Sequence, residues 1–111
     1  MTATVSLDCE DIRDWETFHE VFAQLFGFPD CYGRNMDAWI DCVTSLDAPA
    51  DGMSNVYCAP GTALTLALDN VRDFANRCTE QYKALIECSA FVNWRRLAVG
   101  NPSVLDLSFR Y

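Results

Sequence analysis

A chain of 111 residues, half apolar and 13% aromatic, can bury one core without disulfide or metal staples and is too apolar for intrinsic disorder. Its net charge of −8 is lopsided: residues 1–51 set eleven acidic side chains against Arg13 and Arg34, a balance of −9, while residues 52–111 balance at +1. An acidic half-chain repels nucleic acid and anionic membrane surfaces, and it attracts cationic proteins.

These bounds predict a single domain over 1–111. Thr2–Leu7 alternates small and apolar residues, with Val5 and Leu7 in β-favouring positions, and predicts a first strand. Asp14 is a candidate N-cap for a helix over roughly 15–27. Trp15, Phe18, Val21, Phe22, Leu25 and Phe26 recur along one face of it, and Gly27 and Pro29 stop it. His19 falls inside this helix and reads as a surface or boundary side chain without a special role. After a turn over 28–34, Asn35 is a candidate N-cap for a second helix over roughly 36–46.

Residues 47–61 are rich in Ala, Pro, Asp, Gly and Ser and predict a long surface loop with room for a short element near Val56–Cys58. Ala63–Leu68 is nearly continuously apolar, as a strand buried on both faces of a parallel sheet would be. Asp69 or Asn70 opens a short helix over 70–78. Thr79 caps a further helix with Tyr82, Leu85, Ile86, Ser89 and Ala90 down one face, and Gly100 and Pro102 end that region. Val104–Tyr111 makes a last strand. Strands separated by helical stretches imply parallel pairing, so the expected fold is α/β, a three-stranded parallel sheet flanked by about four helices.

Catalytic constellations are thin. The single histidine, His19, would have to serve any Ser-His-Asp or Cys-His arrangement, and it has no motif around it. No G-x-S-x-G, P-loop or G-x-G-x-x-G is present. The carboxylates form a helical stripe instead of converging from several elements, so the chain does not read as an enzyme and implies no cofactor. The six cysteines, spaced 22, 11, 16, 20 and 10 residues apart, contain no CxxC pair, and one histidine cannot complete a zinc site. Met1–Val5 runs at once into Asp8, Glu10 and Asp11, which predicts no signal peptide, a cytoplasmic setting and reduced thiols.

The informative segment is residues 29–44, P-D-C-Y-G-R-N-M-D-A-W-I-D-C-V-T. On a helix, Met36, Trp39, Ile40 and Val43 share the buried side, which Ala38 and Cys42 extend. Asp37, Asp41 and Thr44 form one polar edge beside Ile40. Two aspartates at i and i+4 repel by roughly 0.2–0.5 kcal/mol in an isolated helix. Asp37 also sits in the first turn, where the helix dipole favours an anion. Spacing alone leaves a docking edge and an ordinary solvated face equally open.

This segment is similar to the hallmark of the barstar-like family, intracellular inhibitors of the ribonuclease barnase. That family writes it approximately as P-x-Y-Y-G-x-N-x-D-A-L-W-D-C-L-T. The resemblance reaches upstream through the first strand and helix, and downstream to Ala63–Phe74 and the last strand, roughly two thirds of the chain. It implies inhibition of a small basic ribonuclease by an acidic helix face, in a protein that is a monomer when free.

Asp41 then matches the aspartate that takes the place of a substrate phosphate, and Asp37 its companion toward a second arginine. Thr44 and Ser45 match rim contacts. Tyr32, Gly33 and Asn35 match the loop that shapes the helix entry, with Gly33 allowing a backbone geometry that side chains resist. The sequence departs from the family in four places. Cys31 stands where the family has a contacting tyrosine, and the tryptophan has moved from the position of Ile40 to Trp39. The acidic contact on the last helix has Asn93 as its nearest counterpart, and the 47–61 loop is longer.

Two other readings stay open at this level. One is an immunity or adaptor module that binds a non-nuclease basic partner with the same face, and the other is a thiol-redox protein using Cys31 or Cys58. Intact-mass analysis after alkylation without reductant is expected to show all six cysteines labelled in the native protein, with Cys42 and Cys88 slow to react. Two or more disulfides in freshly lysed cells would contradict both the compartment and the fold expected here.

Overall fold

Leu64, Leu66 and Leu68 alternate with smaller residues, and this alternation sets the layout of the protein. In a computed structural model, which describes residues 3–111, they project from one face of the central strand and are fully buried. That strand, β2 (Leu64–Asp69), pairs in parallel with β1 (Thr4–Asp8) on one side and β3 (Leu105–Phe109) on the other. In register, Val5 lies beside Leu66 and Leu66 beside Leu107. The Thr2 end of the expected first strand lies outside the described residues.

The outer strands, unlike the central one, have one apolar and one exposed face. Leu7, Leu64, Leu66, Leu68 and Leu105 join the core, whereas Thr4 and Ser6 of β1 and Asp106 and Ser108 of β3 are exposed on the opposite face. The central position of β2 holds, and so does its burial: opposite the leucines Ala67 is 1% exposed and Thr65 half-buried.

Four helices among the described residues pack on the sheet, α1 (Trp15–Phe26), α2 (Met36–Thr44), α3 (Val71–Arg77) and α4 (Thr79–Ala98), and connecting residues such as Ile12, Phe28 and Leu46 complete the core. Asp14 caps α1 as expected. Its Oδ1 accepts from the Thr17 backbone N–H at 2.8 Å, while the Asp14 N–H donates to Thr17 Oγ1 at 3.0 Å, a reciprocal box that satisfies two otherwise orphaned donors. Gly27 ends the helix at φ +66°, and a Cβ there would lie 2.5 Å from the Asn55 side chain, so both conformation and space require glycine.

Thr79 does not cap α4. Cys78 holds the cap position without a side-chain bond, and the Thr79 hydroxyl donates to Ala75 O at 2.9 Å, closing the end of α3. The buried row of α4 is Gln81, Leu85, Ser89, Val92 and Arg96, with Tyr82 and Ile86 half-buried and Ala90 exposed.

The 47–61 loop has no element at Val56–Cys58; its regular turn is a 3-10 helix at Pro49–Asp51. Instead the loop is tied down through its backbone. The Asn55 N–H donates to Phe26 O, a carbonyl that the end of α1 leaves orphaned, and the Cys58 N–H donates to Leu46 O just past α2, both at 2.8 Å. Removing the side chain of Leu66 leaves a cavity beneath the sheet, so Leu66→Ala is expected to cost about 2–5 kcal/mol in denaturant unfolding. A loss under about 0.5 kcal/mol, the range of ordinary surface changes, would move that residue out of the core.

Candidate functional site

Helix α2 is built to be held rigidly from one side. Asn35 caps it, its Oδ1 accepting from the Ala38 N–H at 2.8 Å. Trp39, Cys42 and Val43 are buried, with the Trp39 ring edge-on to Phe22 at 5.7 Å between centroids. Trp39 is fully buried and therefore unavailable to a partner, whereas Ile40, in the family's tryptophan position, is half-exposed. The indole N–H of Trp39 finds no hydrogen-bond partner among the described residues, so apolar packing alone anchors this face.

The polar edge falls on the free side. Asp37 and Asp41 are both exposed, the Asp41 side chain by 65%, one helical turn apart. Thr44 and Ser45 are half-buried at the helix end. The Thr44 hydroxyl donates to Ile40 O at 2.6 Å and accepts from Arg95 Nη2 at 2.5 Å, and that same nitrogen lies 3.8 Å from Asp41 Oδ1. Arg95 belongs to α4, and nothing in its sequence position announced a place on this edge.

The entry loop carries the remaining candidates. Cys31 is exposed and Tyr32 half-buried. The unusual backbone is at Arg34, with φ +52°, and not at Gly33. The expectation for Gly33 is corrected accordingly: a Cβ there would stand 3.3 Å from Asn35 Nδ2 and 3.6 Å from Ala38 Cβ, so glycine keeps room for the cap. The Tyr32 hydroxyl lies 2.6 Å from His19 Nδ1. His19 is not a surface side chain; it is 4% exposed, stacks on Trp15 at 5.7 Å and meets Phe18 edge-on. It ties α1 to the loop that opens α2.

Asn93 is engaged inside the fold. Its Nδ2 donates to Leu105 O at 2.8 Å and its Oδ1 accepts from the Val104 and Leu105 N–H groups, which sets the start of β3. Beside Arg95, Arg96 also reaches the end of α2. Its guanidinium pairs with Asp47 and donates to Thr44 O at 2.9 Å and Pro102 O at 2.8 Å.

All six cysteines are unpaired. Cys9, Cys42, Cys58 and Cys78 are buried and Cys88 only half-buried, so Cys88 is less protected than its helical position suggested. Burial pushes the Cys42 thiol up to about 11 and also raises Cys58, opposite to the direction a redox nucleophile needs. No group of three or more His, Cys, Asp or Glu side chains among the described residues is placed to hold a metal ion. No described helix is long and apolar enough to cross a membrane.

Comparison with known proteins agrees with the segment's resemblance. A family model described as Barstar (barnase inhibitor) matches residues 2–100. A curated relative from Bacillus subtilis (strain 168), "Putative ribonuclease inhibitor YrdF", is 30% identical over 80 residues, which span 71% of this chain and 88% of the relative.

The burial of His19 makes stability depend on pH. Burial lowers the pKa of His19, and the nearby Arg34 charge adds to the effect. The unfolded chain therefore takes up the proton more readily, near the ordinary value of about 6.5. Stability is fully present above that value and is lost as pH falls through it toward the depressed folded-state value. Urea unfolding of the parent and His19→Gln between about pH 7.5 and about pH 5.5 is expected to show a steeper loss in the parent. Equal slopes would remove His19 as the source.

Proposed function

The chain belongs to the barstar (barnase inhibitor) family, and on that premise we propose that it inhibits a small basic ribonuclease by blocking its active site with the Asp37–Asp41 edge of α2. It works as a single domain over 1–111, as a binding protein and not as an enzyme, monomeric when free, and in the cytoplasm. The observation that carries this reading is the asymmetry of α2. One side is locked into the core by Trp39, Cys42 and Val43, and the other presents two exposed carboxylates one turn apart.

A ribonuclease binds phosphate with Arg, Lys and His side chains. A carboxylate held on a rigid helix can replace that phosphate, and little conformational entropy is then lost on docking. Asp41 takes the phosphate position, and Asp37 pairs with a second cation. Tyr32, Gly33 and Asn35 shape the approach, with Cys31, Ile40, Thr44 and Ser45 at the margin. The strongly acidic N-terminal half speeds encounter with a cationic partner, an effect that salt weakens.

The test pairs binding with folding, using barnase as the first nuclease probe. Asp41→Ala is expected to weaken binding roughly 10- to 100-fold, the scale of one hydrogen bond to a charged group. It leaves unfolding unchanged or slightly more costly, because the repulsion with Asp37 is relieved. Asp37→Ala acts in the same direction with a smaller effect, and added salt slows association of the parent. Affinity lost only in proportion to stability would make α2 ordinary scaffolding, and a non-nuclease partner held by the same aspartates would favour an adaptor role.

A further inference from the structure

The acidic edge carries its own cation. Arg95 Nη2 donates to Thr44 Oγ1 at 2.5 Å and stands 3.8 Å from Asp41 Oδ1. The guanidinium carbon lies 5.7 Å from the Phe91 ring centroid, and the Phe91 ring lies 5.9 Å from that of Trp94. Phe91 and Trp94 are both exposed, Trp94 by 64%. One hydrogen bond to a helix-end hydroxyl and one aromatic face thus hold a positive charge beside the carboxylate proposed to meet the partner.

The Asp41–Arg95 pair is loose and open to water, so it contributes little to folding. Its consequence lies at the interface. Any cation that docks on Asp41 comes within one screening length of Arg95, about 8 Å at physiological salt. A nuclease whose positive cleft runs on from the Asp41 contact toward α4 therefore meets a like charge there. One that turns neutral, acidic or apolar at that point meets Arg95 with its flanking Phe91 and Trp94 favourably. We propose that Arg95 is the specificity-determining residue of this face, selecting against nucleases whose cationic surface extends past Asp41 onto α4.

This inference rests on the inhibitory reading of Asp41, and the two are separated by measuring four variants against a panel of small basic ribonucleases that includes barnase. Arg95→Gln removes the charge while keeping a polar side chain, and Arg95→Glu reverses it. Asp41→Ala tests the underlying reading in the same assay, and denaturant unfolding of Arg95→Ala, which loses the charge and the Thr44 bond together, checks that folding survives the loss. For the nucleases that the parent binds most weakly, removing one like charge at such a separation is expected to tighten binding roughly three- to tenfold at low salt, and reversing it to tighten binding further, so that the parent's preference among nucleases narrows. Both gains should fade at high salt.

Arg95→Gln and Arg95→Glu variants that leave the parent's relative affinities across the panel unchanged, or no detectable binding by any variant to any nuclease, overturn the role assigned to Arg95. Gains at Arg95 accompanied by an unaffected Asp41→Ala would leave Arg95 as a selector and remove Asp41 as the phosphate substitute.

Discussion

The side chain of Arg96 is 9% exposed, and a guanidinium at that depth is tolerated only when its donors are satisfied and its charge is paired. Here both conditions are met by groups from three separate segments. Asp47 accepts from both terminal nitrogens, Thr44 contributes the carbonyl at the end of α2, and Pro102 contributes the carbonyl ahead of β3. A bidentate pair of this kind fixes orientation as well as distance. The arginine also places positive charge against the carbonyl end of α2, where the helix dipole favours it. The end of α2, the start of the long loop and the approach to β3 are therefore tied to one turn of α4.

That tie matters because α2 is short and carries two like charges on its free side. Nine residues with aspartates at i and i+4 would make a poor helix alone. The cap at Asn35 holds one end, Arg96 holds the other, and Trp39, Cys42 and Val43 hold the side between them. The two carboxylates contribute nothing to these restraints. Both remain exposed on the free side of the helix.

The entry to α2 is controlled from α1. Tyr32 reaches His19 across the core boundary, and Phe28 packs on both Phe26 and Tyr32. The segment that turns into the helix is thus braced by aromatic packing and one buried hydrogen bond, while Arg34 absorbs the unfavourable backbone conformation. Gly33 serves a different purpose, leaving room for the Asn35 cap. The long loop is braced similarly, by backbone bonds to the ends of α1 and α2. In each case the free ends of helices and the irregular segments satisfy one another.

Much of this protein was legible in its sequence, because local physics decides it. The spacing of Phe18, Phe22 and Phe26 marked α1, and the Asp14 and Asn35 caps fixed two helix starts. The Leu64–Leu68 run marked the central strand, and the position of Asp37 and Asp41 on one helix edge followed from periodicity alone. What the sequence could not decide involves partners distant along the chain. Nothing near His19 points to Tyr32, nothing near Arg96 points to Asp47, and the exposed face of the outer strands depends on which side the helices cover. Arg95 reaches Asp41 only because α4 packs against α2, so the charge on this edge is decided by tertiary structure, through contacts between side chains more than fifty residues apart.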